Sequence, residues 1–431
     1  MSAAMAVLPN DRRAAAAAPA LTRRALYLFV LSIPFELPDL PLPFDLPTMT
    51  ACILIGAALL QPLRCFARIP LALVPFTAFL LAYVARFALG TGDHAAEVAR
   101  LVALMMQCLL VFWVCYNLFR DPRVVRGALI ALVVAAAARA LLQLTGVAAN
   151  VVEATSAAPR LSAFGQNADK AAVIMGAGLL ALLGLMQSRD GNGRPARRRR
   201  GGRAPLVWTA AAALGAAIVQ TGSRGGILAL AIAVLALLAA AEPLPRRARR
   251  IGVVVAALGL LAALTWTIDS TRKRFEATIE RGAMAGRENI YPELLAMATL
   301  KPVAGWGPIE NKYELGERLK APERFRRRDA HNLWLEAVTA AGLLALLPLL
   351  VGHAACARAA WAACRRGDAL PLALLALVFA ANMSNNWIVG KLDWVVLALA
   401  LAAGNSGAVR GRVRQRFALI RTYGGGEGGD G

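Results

Sequence analysis

Apolar stretches of roughly 17–25 residues recur along almost the whole chain, and a helix needs this length to cross the hydrocarbon core of a bilayer. The composition agrees, since 58% of the residues are hydrophobic, 17% are charged and the mean hydropathy is +0.55. A backbone in lipid cannot leave its polar groups unpaired, so we expect helices rather than open strands. The sequence therefore predicts an all-α integral membrane protein that crosses the bilayer many times.

The positive charges are better explained by membrane topology than by nucleic-acid binding. A net charge of +22 would suit a nucleic-acid-binding protein. Most of the arginines, however, stand in short clusters between apolar stretches, which is the pattern expected of loops on the cytoplasmic side of a membrane. We therefore expect membrane lipid and no nucleic acid among the partners of this chain.

We predict about twelve membrane spans, and the basic loops set their orientation. With the N-terminus inside, the strongly basic short loops after spans two, four, six, eight and ten all fall on the cytoplasmic side. The approximate spans are 25–40, 46–62, 70–90, 96–118, 124–146, 168–187, 205–220, 227–242, 251–268, 332–352, 370–387 and 390–404. The predicted regions are a cytoplasmic tail (1–24), spans one to nine (25–268), a long outer loop (269–331), spans ten to twelve (332–404) and a second cytoplasmic tail (405–431).

One long polar segment, residues 269–332, interrupts this apolar sequence. It contains the pair Gly286-Arg287 and the triplet Gly305-Trp306-Gly307, and it ends on Asp329-Ala330-His331-Asn332. A loop of this length between two apolar spans is usually functional rather than a plain connection. We interpret the segment as the cap of an active site.

Three separated motifs reach the same outer face in this topology. They are the segment Arg160 to Asn167, the turn Thr221 to Gly226, and the long loop with Arg287 and His331. Arginine presents a planar charged fork that suits phosphate oxygens, and a helix N-terminus favours anions. The motifs together predict a pyrophosphate clamp. The alternatives are an Arg224 that snorkels at a helix end and solvated loop charges for Arg160 and Arg287.

Further polar residues are candidate substrate-binding groups. Asn167, Ser223 and Asn332 lie within the three motifs, and Arg139 lies toward the outer end of the fifth span. An ionisable residue within a span is a functional candidate, so Arg139 is the best extra contact for a phosphate or an acceptor. Snorkelling is the alternative interpretation of Arg139.

His331 is the candidate general base. It lies where the polar loop meets the tenth span, and a histidine accepts a proton near neutral pH. Asp329 is close in sequence and is a candidate to orient the ring, although residues two apart on a helix do not share a face. The alternative is a histidine that makes only local hydrogen bonds at the start of a helix.

The sequence contains no Asp-x-Asp motif, Walker sequence or nucleophile elbow, and no metal-ligand cluster lies on the predicted outer side. The six cysteines show no metal-like spacing and most lie in or beside apolar spans, so we interpret them as buried apolar residues. We therefore predict no metal site and no cofactor. Arginines would then have to stabilise the leaving group of any reaction at this face.

These motifs resemble the O-antigen ligase and polymerase superfamily. The resemblance rests on Arg-x-x-x-Phe-Gly-x-Asn at 160–167, Ser-Arg-Gly-Gly at 223–226, Gly286-Arg287, Gly305-Trp306-Gly307 and His331-Asn332, and it is specific over about residues 155–340. Tyr291 departs from the family, in which tryptophan is common after the Gly-Arg pair. The resemblance implies a fold like the GT-C glycosyltransferases, with short helices in the periplasmic loop between spans nine and ten.

The resemblance also implies a reaction. Such proteins take a glycan from undecaprenyl pyrophosphate at the periplasmic face of the bacterial inner membrane, and the ligases move it to a sugar hydroxyl of the lipid A core. The transfer resembles a metal-independent, inverting glycosyl transfer. His331 would remove the proton of the acceptor hydroxyl, Arg224 and Arg287 would bind the pyrophosphate, and Arg160 would assist them.

Other functions remain open at this stage. An O-antigen polymerase or a protein O-oligosaccharyltransferase of the same superfamily would use a similar set of residues. A lipid-linked glycan flippase is a further alternative from a different class, and it would carry functional charges along a path through the membrane together with internal repeats. The sequence shows no clear repeat, and its candidate charges cluster at one face.

Overall fold

The computed structural model describes residues 19–35, 45–89, 94–153, 160–187, 204–239, 244–267, 269–282, 286–323 and 326–405. Within these ranges the regular structure is helical, apart from one antiparallel pair of short strands. The expected all-α architecture is therefore confirmed for the described part of the chain. Most of the two predicted cytoplasmic tails lies outside the described residues.

Seven helices and one strand pair make up the first half of the fold. They are α1 (Ala20–Ser32), α2 (Leu46–Leu59), α3 (Pro62–Cys65), α4 (Leu73–Ala88), α5 (Ala95–Leu118), α6 (Pro122–Leu144), β1 (Ala149–Glu153), β2 (Arg160–Ala163) and α7 (Ala168–Gln187). The second half comprises α8 (Ala204–Gln220), α9 (Arg224–Ala236), α10 (Leu244–Thr267), α11 (Asp269–Arg281), α12 (Arg287–Leu300), α13 (Glu310–Arg318), α14 (Leu333–Arg365), α15 (Leu370–Ala381) and α16 (391–405).

Four of the described helices, α5, α6, α7 and α14, are long and apolar enough to cross a membrane. Parts of α10 and α11 meet at an angle of 93° and would add a fifth span if they form one broken unit. Five further apolar helices, α2, α4, α8, α9 and α15, are shorter, with 10–17 residues each. These findings agree with a multi-pass membrane protein, whereas the number of about twelve spans remains a prediction.

Each of the twelve predicted spans contains a helix, but several boundaries differ from the prediction. Helix α1 begins at Ala20, inside the predicted tail, and ends at Ser32, two residues before Pro34. Helix α15 ends at Ala381, although the eleventh span was predicted to reach residue 387. The helix ends there because the polar residues 382–386 follow, and backbone carbonyls of these residues accept hydrogen bonds from α12 and α14.

Side-chain caps explain where several helices begin. The Asp45 carboxylate accepts a hydrogen bond from Thr48 N at 2.7 Å and starts α2, and the Asp121 carboxylate accepts from Arg123 N at 2.8 Å and starts α6. Pro122 follows Asp121 at the first helical position, where the missing N–H costs nothing. The same capping chemistry positions the candidate site.

Helix α14 is broken in its first third, at Ala341 and Gly342. Gly342 has φ +67° and ψ −161°, which a residue with a side chain rarely adopts. The segment 302–307 fills the break with four backbone hydrogen bonds. They are Trp306 N to Thr339 O (2.7 Å), Gly307 N to Ala340 O (2.9 Å), Leu343 N to Pro302 O (2.8 Å) and Leu344 N to Val303 O (3.3 Å). The backbone groups released by the break are thus satisfied by the long polar segment.

Trp306 holds this inserted segment in place. Its indole Nε1 donates to Met297 O at 2.9 Å, and the Lys301 ammonium lies 3.7 Å from the ring centroid. Arg86 Nη2 of α4 donates to the Trp306 carbonyl oxygen at 2.9 Å. The triplet Gly305-Trp306-Gly307 therefore connects α12, α14 and α4 instead of lining an open site.

Arg139 is completely buried within the bundle. Its guanidinium donates to Pro34 O at 2.5 Å, to Ser162 Oγ at 3.0 Å and to Ala163 O at 3.4 Å. Arg139 on α6 thus connects the end of α1 with β2. These contacts give it a structural role, which the sequence prediction of a substrate contact did not include.

Candidate functional site

The turn between α15 and α16, residues 382–385 (the 382–385 turn), is where the predicted motifs meet. Three of its four backbone carbonyls accept hydrogen bonds from α12 and from the start of α14. The bonds are Arg287 Nη2 to Ser384 O (2.9 Å), Tyr291 Oη to Met383 O (2.8 Å), Asn332 Nδ2 to Met383 O (3.2 Å) and Leu333 N to Asn382 O (3.0 Å). This turn therefore joins α12, inside the long polar segment, to the end of that segment at Asn332.

Arg287 is the first residue of α12, directly after Gly286, whose φ is +84°. Its Nη2 also lies 3.4 Å from Asp169 Oδ2, and both side chains are largely shielded, with 19% and 12% of their surface exposed. The Arg287 Nε is buried, and no hydrogen-bond acceptor for it lies within the described ranges. Arg287 is therefore held through Nη2, and its Nε–H has no partner in the described part of the chain.

Ser223 and Asp169 join the turn Thr221 to Gly226 to this site. The Ser223 hydroxyl caps α9 by accepting from Gly226 N at 3.0 Å, and it donates to Asp169 Oδ1 at 2.6 Å. A Cβ on Gly225 would lie 2.6 Å from Ser384 Oγ. Glycine at this position therefore lets the start of α9 approach the 382–385 turn closely.

Arg224 is the first residue of α9, and its guanidinium faces α11. Nη1 donates to Arg274 O at 2.8 Å and to the Thr278 hydroxyl. The site thus brings Ser223 and Arg287 together around Asp169, while the contacts of the Arg224 side chain extend toward the first helix of the long polar segment.

His331 lies between Arg287 and the start of α14. Its backbone has φ +48°, and its carbonyl oxygen accepts from Tyr291 Oη at 3.3 Å. Burial and the nearby Arg287 charge lower the pKa of His331 below its ordinary value of 6.5, and the carboxylates of Asp329 and Asp169 only partly offset this. The imidazole is therefore mostly neutral at neutral pH, as a general base requires.

Asp329 is engaged by Lys312 of α13, with Lys312 Nζ 2.5 Å from Asp329 Oδ1. Burial opposes the charge of Lys312, but the carboxylates of Glu336 and Asp329 raise its pKa. Burial likewise opposes the charge of Asp329, but the Lys312 ammonium and its hydrogen bond lower the pKa of that carboxyl. Asp329 therefore influences His331 through its charge, while its hydrogen bond goes to Lys312.

The remaining predicted residues have local structural contacts. Asn167 caps α7 by accepting from Asp169 N at 2.8 Å, and Asn332 caps α14 by accepting from Trp334 N at 3.0 Å. Arg160 is the first residue of β2, and its backbone pairs with Glu153 of β1. Asn167 and Asn332 thus set the starting points of the two helices that carry or adjoin the site.

Sequence reasoning missed Asp169 and the 382–385 turn. A signal for the turn existed, because the run Asn382-Met383-Ser384-Asn385-Asn386 is polar within a stretch predicted to be a span. Asp169 gave a weaker signal, since an acidic residue in the first turn of a helix is common and stabilises the helix dipole. Within the described ranges, no group of three or more His, Cys, Asp or Glu side chains is arranged to hold a metal ion.

The fold and this site define a helical membrane protein in which arginine, serine and histidine side chains gather at one end of the bundle. Residues 209–350 match the family model of the O-antigen ligases. This region of the chain, about a third of its length, is thus similar to the O-antigen ligases. The matched range includes Ser223, Arg224, Arg287, His331 and Asn332, and it excludes Asp169 and the 382–385 turn. No curated protein matches the chain.

Proposed function

We propose that this protein is an O-antigen ligase that transfers O-antigen polysaccharide from undecaprenyl pyrophosphate to a sugar hydroxyl of the lipid A core. The family match over residues 209–350 supports this class of reaction. The observation that carries the proposal is that Arg287 and His331 meet at the 382–385 turn. Arg287 donates to Ser384 O, and the Tyr291 hydroxyl contacts both Met383 O and His331 O. The charge of the partly shielded Arg287 also lowers the pKa of His331.

Arg287 and Arg224 bind the pyrophosphate of the donor in this proposal. Arg287 offers its buried Nε–H, and the Ser223 cap leaves the N-terminus of α9 directed toward the same region, where a helix dipole favours an anion. As the glycosidic bond breaks, negative charge grows on the leaving pyrophosphate. Preorganised donors stabilise that charge without the reorganisation that water would need. Arg160 is the candidate for a further contact with the donor.

His331 acts as the general base. The neutral imidazole takes the proton of the acceptor hydroxyl while the hydroxyl oxygen attacks the anomeric carbon of the glycan. The bond between that carbon and the pyrophosphate oxygen breaks in the same step, and undecaprenyl pyrophosphate leaves with the electron pair. Attack from the face opposite the leaving group inverts the configuration of the anomeric carbon, and the imidazolium later gives its proton to water.

The active site faces the periplasm of the bacterial inner membrane in this proposal. The positive-inside pattern of the short basic loops supports this orientation, because it puts the long segment 269–331 on the outer side. The donor lipid enters from the bilayer, and the lipid A core meets it at the membrane surface. Charge in a long loop has little influence on its translocation, so the basic residues of this segment are compatible with the outer location.

A transfer assay with two acceptors tests the proposal. Purified protein in detergent receives undecaprenyl-pyrophosphate-linked glycan, first with lipid A core and then alone, with EDTA present throughout. We expect the glycan to move onto the lipid A core without added metal, with inversion at the anomeric carbon. Loss of transfer in EDTA that returns with added divalent metal would contradict the metal-independent mechanism.

The same assay distinguishes the alternatives. Growth of the glycan on the donor lipid, with no product on lipid A core, would identify a polymerase. Transfer to a protein alone, when a protein acceptor is added to the assay, would identify a protein O-oligosaccharyltransferase. If no acceptor is glycosylated but the labelled donor lipid crosses the bilayer of proteoliposomes, the protein would be a flippase, and the proposed function would be wrong.

A further inference from the structure

Asp169 occupies a position that no sequence motif indicated. Its two carboxylate oxygens bind groups from two different motifs, the Ser223 hydroxyl at 2.6 Å and Arg287 Nη2 at 3.4 Å. Asp169 itself lies two residues after Asn167, the last residue of the first motif, and Asn167 fixes its backbone through the cap of α7. One carboxylate thus links all three motifs.

The Ser223 hydroxyl proton is committed in this arrangement. The hydroxyl accepts from Gly226 N at 3.0 Å and gives its only proton to Asp169. Ser223 therefore uses its hydroxyl to fix the start of α9 rather than to donate to a ligand. Because Arg224 is the next residue, the bond between Ser223 and Asp169 also fixes the position from which the Arg224 side chain extends.

The contact between Asp169 and Arg287 orients the guanidinium and uses only its Nη2 group. Asp169 Oδ2 and Ser384 O both bind Nη2, and the buried Nε–H points elsewhere without an acceptor in the described part of the chain. A planar guanidinium that is fixed through one nitrogen has a defined plane, so the direction of its other N–H groups is set before an anion arrives.

We propose that Asp169 is a positioning residue for glycosyl transfer, which aligns Arg287 and the N-terminus of α9 toward the diphosphate of the donor. This inference rests on the function proposed above. A carboxylate close to a bound diphosphate weakens binding by repulsion. Its benefit therefore has to arise in the transition state, where an aligned Arg287 stabilises the charge that grows on the diphosphate.

The proposal predicts a specific kinetic pattern for Asp169→Asn. The asparagine retains an acceptor for the Ser223 hydroxyl but loses the charge that holds Arg287. We expect kcat to fall about tenfold or more, because small misalignments of catalytic groups cost up to about 100-fold. KM for the donor lipid should stay unchanged or decrease, because the repulsion is removed. Asp269→Asn, an exposed carboxylate of α11, is the matched control and should leave both constants unchanged.

The effect of Asp169 on His331 supplies a readout that does not need transfer activity. The charged groups that act on His331 are Arg287 of α12, Asp169 of α7, Lys312 of α13 and Asp329. Loss of the Asp169 charge should lower the pKa of His331. The chain has only three histidines, so NMR of the protein labelled with ¹³C at histidine can follow each ring, with His331→Asn assigning the signal.

The two measurements separate the possible failures. If the wild type transfers no glycan, the proposed function is wrong, and the titration still tests the position of Asp169. If the wild type is active and Asp169→Asn keeps its kcat, or if the His331 pKa is unchanged in that variant, the inference is overturned. Asp169→Glu covers the case in which the asparagine variant does not fold, since it keeps the charge and should recover part of the lost kcat.

Discussion

The Arg287 guanidinium donates a hydrogen bond of 2.9 Å to the backbone carbonyl of Ser384. This bond joins the first residue of α12, inside the long polar segment, to the turn between the last two helices. The end of that segment reaches the same turn, because Asn332 donates to Met383 O. Tyr291 of α12 donates to Met383 O and contacts His331 O. The 382–385 turn therefore determines how the arginine and the histidine of the proposed reaction face each other.

Substitution of Arg287 should affect turnover far more than folding. In Arg287→Ala the growing charge on the pyrophosphate loses a preorganised donor, so we expect kcat to fall by about 10²–10³-fold. Arg287→Lys keeps the charge but loses the planar fork, and we expect it to recover only a small part of the rate. Steady-state transfer kinetics and size-exclusion profiles in detergent measure the two effects.

Arg326→Ala is the control for these variants. Arg326 belongs to the same polar segment and is exposed, and it pairs with Glu317. An exposed ion pair of this kind contributes little to stability, so transfer should remain at the wild-type rate. Near wild-type kcat in Arg287→Ala would show that Arg287 does not bind the leaving group.

The pH dependence of transfer should report the ionisation of His331. The base must be neutral, so the rate rises with pH as the imidazole loses its proton. Burial and Arg287 lower the pKa of His331 below 6.5, so the rise should occur below pH 6.5 and the rate should be level at neutral pH. In Arg287→Gln the pKa of His331 should increase, and the rise should move to higher pH. A pH profile of kcat that is identical in both proteins would contradict this assignment of the base.

The break in α14 should be sensitive to a single methyl group. An alanine at position 342 would adopt φ +67° and ψ −161°, a region used essentially by glycine alone, at a cost of about 1–3 kcal/mol. Its Cβ would also overlap the Val303 carbonyl oxygen. We expect Gly342→Ala to lower the thermal unfolding midpoint in detergent by several degrees. Gly259→Ala in α10 is the matched control, because no atom lies within 4 Å of the added Cβ. Equal midpoints for the two variants would show that the break is not a fixed feature of the fold.

A variant of Arg139 distinguishes a structural role of this residue from a role in substrate binding. Removal of its side chain leaves the Pro34 carbonyl and the Ser162 hydroxyl without this donor in a buried setting. We expect Arg139→Ala to lower the free energy of unfolding by about 2–4 kcal/mol. The fraction that remains folded should have an unchanged KM for the donor. An increased KM with unaltered stability would instead support the contact with substrate that the sequence suggested.

Local patterns were sufficient for part of the site. Arg287 follows a glycine within the polar loop, and His331 directly precedes the cap of a long apolar helix. The sequence therefore indicated the first as a charged loop residue and the second as a titratable residue at the edge of a predicted span. The apolar stretches likewise predicted a helix in every expected segment. These features depend on residues that are close in sequence, and their physical causes act over a few residues.

The missed features depend on contacts between distant parts of the chain. Nothing near Gly305-Trp306-Gly307 indicates that this triplet fills a break at Gly342, because the partners are more than thirty residues apart and meet through backbone groups. Asp169 and Ser384 are likewise defined by partners 54 and 97 residues away. Such pairings follow from the packing of the helices, which a pattern of hydropathy does not specify.

The most direct test of the central claim compares His331→Ala with the wild type in the lipid A core assay with EDTA present. His94→Ala is the control, since His94 stacks on Tyr313 away from the 382–385 turn. We expect the wild type and His94→Ala to transfer glycan at similar rates. His331→Ala should bind the donor lipid with similar affinity but lose about 10²–10⁴-fold in turnover. Wild-type turnover in His331→Ala would contradict the assignment of this histidine as the base.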